Sequence, residues 1–153
     1  MILTRPLVIF DLETTGLSIN TDKIIQIGAL KLNLDGTSEK KNILINPGIP
    51  IPSNATEIHG ITNEMVAGSP TFSQISKSLK EFFKGCDIGG YNSDVFDIPL
   101  LIMEFHRCGI EFPDWILNFV DSLKIEKLIN SHRLEHTYTR YTCLLYTSPS
   151  PRD

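Results

Sequence analysis

The sequence predicts a single α/β domain built on a mixed sheet flanked by helices. Three strand-like segments fall within the first 45 residues, and helices then alternate with short strands. That order makes a sheet antiparallel in one part and parallel in the other. With 153 residues, 41% of them apolar and 21% charged, the chain can bury one core and is too short for two.

The elements follow in order. Leu7-Val-Ile-Phe10 is a short apolar run, as in a strand buried on both faces. Ile24 to Leu34 starts apolar and then alternates, which predicts a second strand, half exposed towards its end. Asp35-Gly36 is a turn pair and Lys40–Ile45 a return strand, so the second and third strands read as a hairpin. Asn46 to Ser53 holds three prolines and reads as loop. Short helical turns are expected around Ala55–His59 and Thr62–Ala67. Between Thr71 and Lys84, Phe72, Ile75, Leu79, Phe82 and Phe83 recur at helical spacing, with Pro70 or Thr71 near the start and Gly85 at the end. Asp87–Tyr91 reads as a short strand, Asp97–Cys108 as a helix closed by Gly109, Phe119–Ser122 as a strand edge, and Ser122–Asn130 as a helix.

Composition excludes several classes of function. No apolar run approaches the roughly 18 to 20 residues of a membrane span. The N-terminus leads straight into a strand-like run rather than a signal peptide. Cys86, Cys108 and Cys143 are odd in number and lack C-x-x-C spacing, against a disulfide framework or a zinc site. A cytoplasmic location is expected. The net charge of −4 gives no bulk attraction for nucleic acid, so any such role must come from a site.

The residues Cys143 to Asp153, CLLYTSPSPRD, can be encoded by a nucleotide string that resembles a transposase-library sequencing adapter. On that reading the native domain is 1–142, cut within its gene, and 143–153 is a tail whose last residues, from Ser148, should be exposed and irregular.

The strongest motif is Phe10-Asp-Leu-Glu-Thr-Thr-Gly-Leu17. In a strand, residues two apart share a face, so Asp11 and Glu13 present neighbouring carboxylates at the strand's carboxyl end. Like charges this close repel unless a cation intervenes. Carboxylate oxygens are hard ligands that suit Mg²⁺ or Mn²⁺. Gly16 would allow a sharp turn, and Thr14 and Thr15 could offer hydroxyls and amides to a sugar or phosphate oxygen.

The motif resembles the DEDD family of 3′–5′ exonucleases, the group that contains the proofreading epsilon subunit of DNA polymerase III. The resemblance runs from Leu7 to about Thr142. It implies a ribonuclease H-like α/β fold whose C-terminal part is missing here, and two divalent metal ions that activate water against a terminal phosphodiester. Asp11 and Glu13 map onto metal ligands, with Leu12, Thr14 and Thr15 beside the substrate.

Tyr91-Asn-Ser-Asp-Val-Phe-Asp97 resembles the second family motif and implies Asp97 as the third metal carboxylate, Asn92 as a substrate-binding residue and Phe96 against the terminal base. Each also has a plainer reading: Asp94 or Asp97 as a helix cap, and Phe96 as core. Convergence of Asp11, Glu13 and Asp97 within a few ångströms is expected. Ile58-His-Gly-Ile-Thr62 resembles the family's I-H-G-I-T loop, which implies His59 and Ile61 beside the substrate, with Gly60 allowing close backbone approach and Ile61 wedging against a base. His59 is read as ordering this loop in preference to acting as a general base.

The family's third motif, a His with an Asp five residues later, is absent. After Asp121 the only Asp is Asp153; His132 and His136 are followed at that offset by Thr137 and Tyr141. The expected function of the parent protein is therefore a metal-dependent 3′–5′ exonuclease acting on 3′ ends of DNA, with single-stranded DNA as substrate and a DNA polymerase as partner. The alternatives are a non-cleaving domain that binds nucleic-acid ends, or an RNA-trimming exoribonuclease of the same fold.

Overall fold

The computed structural model describes residues 3–90, 96–111 and 119–121, the last three as backbone strand. The strands are β1 (Leu7–Thr14), β2 (Ile24–Leu32), β3 (Ser38–Leu44), β4 (Asp87–Gly90) and β5 (Phe119–Asp121). The helices are α1 (Ser53–His59), α2 (Asn63–Val66), α3 (Phe72–Phe83) and α4 (Asp97–Arg107). Asn92, Asp94, the helix expected over Ser122–Asn130, His132, His136 and the tail from Cys143 lie outside the described residues.

One sheet carries the strands in the order β3-β2-β1-β4-β5. β1, β2 and β3 form an antiparallel meander, whereas β4 lies parallel to β1 and β5 parallel to β4. The sheet is therefore mixed, as expected. β1 sits at its centre, with Val8, Phe10 and Leu12 buried. It does not stop at Phe10: the ladder continues through Asp11, Leu12 and Glu13, opposite Gly28, Ile27 and Gln26. A bulge then shifts the register between Glu13 and Thr14, bending the chain out of the sheet.

α3 and α4 cover one face. Phe72, Leu79, Phe82 and Phe83 of α3 join Ile98, Leu100, Leu101 and Phe105 of α4 in one cluster with Val8, Phe10 and Leu12. Edge-on ring pairs, Phe10 with Phe83 at 5.9 Å and Phe72 with Phe105 at 5.2 Å, close the packing. α3 starts at a capping box: Thr71 Oγ1 accepts the Gln74 amide at 3.3 Å, and Gln74 Oε1 accepts the Thr71 amide at 2.9 Å. Pro99 falls in the first turn of α4, where its missing N–H costs no helical bond. A separate cluster of Ile25, Ile51, Ala55, Ile61 and Val66 lies beneath α1 and α2. Among the described residues no helix is long and apolar enough to cross a membrane.

Candidate active site

Because Val8, Phe10 and Leu12 point into the cluster under α3 and α4, alternation turns Asp11 and Glu13 together to the other face of β1. Glu13 is 8% exposed and Asp11 partly exposed. Directly across from Asp11 stands Gly28, and a Cβ there would meet nothing within 4 Å. Among the described residues, the surface beside the acid pair is therefore open on that side.

Past the bulge, Thr14 and Thr15 have different surroundings. Thr14 Oγ1 donates to Gly16 O at 2.7 Å. Thr15 is 2% exposed; its hydroxyl donates to Asp22 Oδ1 at 2.8 Å and accepts the Lys23 amide at 3.0 Å, and its own amide donates to Lys23 O. Thr15 therefore locks the loop and has no hydroxyl to offer a substrate, which corrects the expectation for it. The Leu12 side chain is fully buried in the core.

Gly16 is corrected in its reason. Its backbone is not in the left-handed region. What requires glycine is Asp22, whose Oδ2 would lie 2.5 Å from an added Cβ. Gly60 is the reverse case: with φ at 75° it caps α1, donating to Thr56 O, and no atom lies within 4 Å of its missing side chain.

His59 joins the α1 loop to the end of β1. Its Nδ1 accepts the Ile61 amide at 3.1 Å, which leaves the proton on Nε2, and Nε2 donates to Thr14 O at 3.2 Å. Ile61 is 4% exposed within the second cluster, so it is a core residue and no wedge against a base. Burial was hidden because the motif places Ile58 and Ile61 on either side of a turn. It is Ile58, 50% exposed, that faces outward.

Asp97 is the first residue of α4 and 4% exposed. A carboxylate there suits the positive end of the helix dipole. Phe96 precedes it, part-buried and packed on the main cluster. Among the described residues no three His, Cys, Asp or Glu side chains are grouped so as to hold a metal ion. The expected convergence of Asp11, Glu13 and Asp97 is thus not found among them. The layering gives the reason: β1 turns its acid pair to one face of the sheet, while α4 packs on the other. The donor set still suits a hard divalent cation, being carboxylate oxygens from one strand face beside open space.

Three contributors were not singled out from the sequence: Asp22, Glu104 and Arg107. Glu104 carried a signal, since it falls with Leu100, Leu101 and Phe105 on the apolar stripe of α4, where a charge needs a partner. It is 4% exposed; its Oε2 accepts the Ile24 amide at 3.1 Å and its Oε1 pairs with Arg107 at 2.9 Å.

A mixed sheet in this order, with an acid pair at the carboxyl end of its central strand, defines a ribonuclease H-like nuclease fold. The model of the RNase T exonuclease family matches residues 8–145, and the chain belongs to that family. It is 32% identical over 114 residues to "DNA polymerase III PolC-type" of Caldanaerobacter subterraneus, covering 74% of this chain and 8% of that protein. It is 35% identical over 99 residues to "DNA polymerase III subunit epsilon" of Treponema pallidum, covering 65% of this chain and 46% of that protein. The chain thus spans less than half the length of either relative. Among solved structures, the zinc-bound form of an Escherichia coli exonuclease I–single-stranded DNA complex superposes with a TM-score of 0.77 at 19% identity, over 90% of this chain and 35% of that one.

Proposed function

We propose that the parent protein is a metal-dependent 3′–5′ exonuclease that hydrolyses terminal phosphodiesters of DNA. The observation that carries this is the acid pair: Asp11 and Glu13 on one face of the central strand, near its carboxyl end, with Asp97 buried as the first residue of α4. Asp11 and Glu13 would hold divalent metal, Mg²⁺ or Mn²⁺, with Asp97 joining from α4. Two such ions supply an activated water and charge stabilisation on the leaving oxygen. The chain's own residues do the positioning. His59 fastens the α1 loop to Thr14, Thr14 shapes the turn beyond the acid pair, and the open surface opposite Gly28 admits a strand end. Asn92 and Phe96 complete the reading as substrate contacts in the second motif.

The partner proposed is a single-stranded 3′ end, supported by the DNA-bound exonuclease I relative. A polymerase partner is supported by the names of the relatives, and a cytoplasmic location accords with both. Residues 1–142 form the exonuclease domain in this reading and 143–153 the adapter-like tail.

One observation favours a second reading for the chain as written. No His with an Asp five residues on follows Asp121, so the general base and fourth carboxylate of the resemblance have no counterpart. A positioned base contributes typically 10² to 10⁴ in rate. A domain that binds ends without cutting them is the resulting alternative, and an exoribonuclease the other. The test is a 3′-labelled oligonucleotide assay, DNA beside RNA, on this chain and on the uninterrupted reading frame, each with and without D11A. Metal-dependent, D11A-sensitive release of 3′ nucleotides from DNA by the longer protein is expected, with this chain weak or inactive. Cleavage of RNA alone, or D11A-insensitive cleavage, would overturn the proposal.

A further inference from the structure

The loop of residues 16–23, which leaves the first motif and returns to β2, is held from a distance by α4. Arg107 Nη1 donates to Asp22 O at 3.0 Å and to Glu104 Oε1 at 2.9 Å; Nη2 donates to Ile19 O and Asn20 O, both at 3.0 Å. One planar guanidinium thus caps three loop carbonyls while its charge is matched by Glu104. Glu104 in turn takes the amide of Ile24, the first residue of β2. Inside the loop, the Asp22 carboxylate holds Thr15 Oγ1 and the Ser18 amide, each at 2.8 Å. Contacts therefore run unbroken from α4 through the loop to Thr15, two residues beyond Glu13.

The same helix begins with Asp97. At about 1.5 Å of rise per residue, its first and last residues stand roughly 15 Å apart along a rigid rod. An ion pair that is largely buried, as this one is on the Glu104 side, is a weak means of gaining stability, since apolar side chains of similar volume usually serve as well or better. Its distinctive property is fixed geometry, and a lysine would not reproduce it. An ammonium can match the Glu104 charge, but it lacks the planar fork that reaches three carbonyls at once.

We infer that Arg107, oriented by Glu104, is a positioning residue: it sets the placement of α4, and so of Asp97, relative to the acid pair on β1. This rests on the reading of Asp11, Glu13 and Asp97 as metal carboxylates. Arg107 touches neither metal nor substrate in this role.

The test uses the full chain and the R107K variant. Three quantities are measured: the urea midpoint, amide hydrogen exchange of residues 15–23, and Mn²⁺ binding by calorimetry, with D11A as the control for site occupancy. R107K should exchange at least ~10-fold faster in the loop and bind Mn²⁺ about 10-fold more weakly, the lower end of what losing a group that orients metal ligands costs in affinity. Should R107K shift the urea midpoint, E104L/R107M replaces the pair with apolar side chains that can retain stability without fixing the geometry, and the same loss of Mn²⁺ affinity is expected from it. Unchanged Mn²⁺ affinity in both variants, with binding still abolished by D11A, would overturn the inference alone. Mn²⁺ binding that D11A leaves intact would overturn the metal-site reading and the inference with it.

Discussion

Replacing Gly16 by alanine tests how the first motif is built. The new Cβ would stand 2.5 Å from Asp22 Oδ2, 2.8 Å from its Cγ and 2.9 Å from Oδ1. The backbone there is not left-handed, so alanine meets no conformational penalty and the clash alone decides. The Asp22 carboxylate must move, and it holds Thr15 Oγ1 and the Ser18 amide, each at 2.8 Å. At about 1.5 kcal/mol for each partly exposed hydrogen bond to a carboxylate, G16A should cost about 3 kcal/mol. In urea that is a fall of about 1.5 M in midpoint, for a slope of roughly 2 kcal/mol/M. D22A removes the same two bonds and should cost about as much. The double variant G16A/D22A should then be no less stable than D22A by more than ~0.5 kcal/mol, because the obstacle is gone. Additive costs in this cycle, or a G16A protein as stable as the parent, would refute the account of Gly16 as the space Asp22 requires.

Phe105, 1% exposed and edge-on to Phe72, should cost about 3–5 kcal/mol when truncated to alanine, read from chemical denaturation. T71A removes one half of the α3 capping box and should lower stability by about 1 kcal/mol, with faster amide exchange confined to the first turn of α3. Burial pushes the Cys86 thiol up from its ordinary value, with nearby Lys31 and Arg5 opposing. At pH 8 its thiolate is therefore scarcer than that of a free thiol, and iodoacetamide labelling should be slower than for free cysteine and accelerate on unfolding. Labelling of native Cys86 at the free-thiol rate would contradict the packing between α3 and β4.

The sheet and its main helices were legible because their signals are local. The Phe72, Leu79, Phe82 and Phe83 spacing gives α3, and the two-residue offset of Asp11 and Glu13 gives their common face. Depth was less legible. A motif names residues near a site without saying which point inward, and Leu12, Thr15 and Ile61 all proved buried. Nor could the sequence reveal that Gly16 is small for the sake of a carboxylate six positions later, since that contact exists only once the loop closes. Glu104 shows the converse: an acid on an apolar stripe is visible in one dimension, and so is Arg107 one turn on, but its other partner, the Ile24 amide, lies 80 residues away.

The pairing of β1 has a consequence for how the domain comes into being. Its antiparallel side closes through the loop of residues 15–23 into β2, whereas its parallel side joins Leu7 to Asp87 only after α1, α2 and α3 have been made. Local pairings form quickly and distant parallel ones slowly. As synthesis proceeds from the N-terminus, the meander can fold while β4 and α4 are still being translated. During that interval the acid pair is already displayed, yet the other edge of β1 offers unpaired backbone groups to any passing strand. The centre of the finished sheet is thus, for a time, its most vulnerable border.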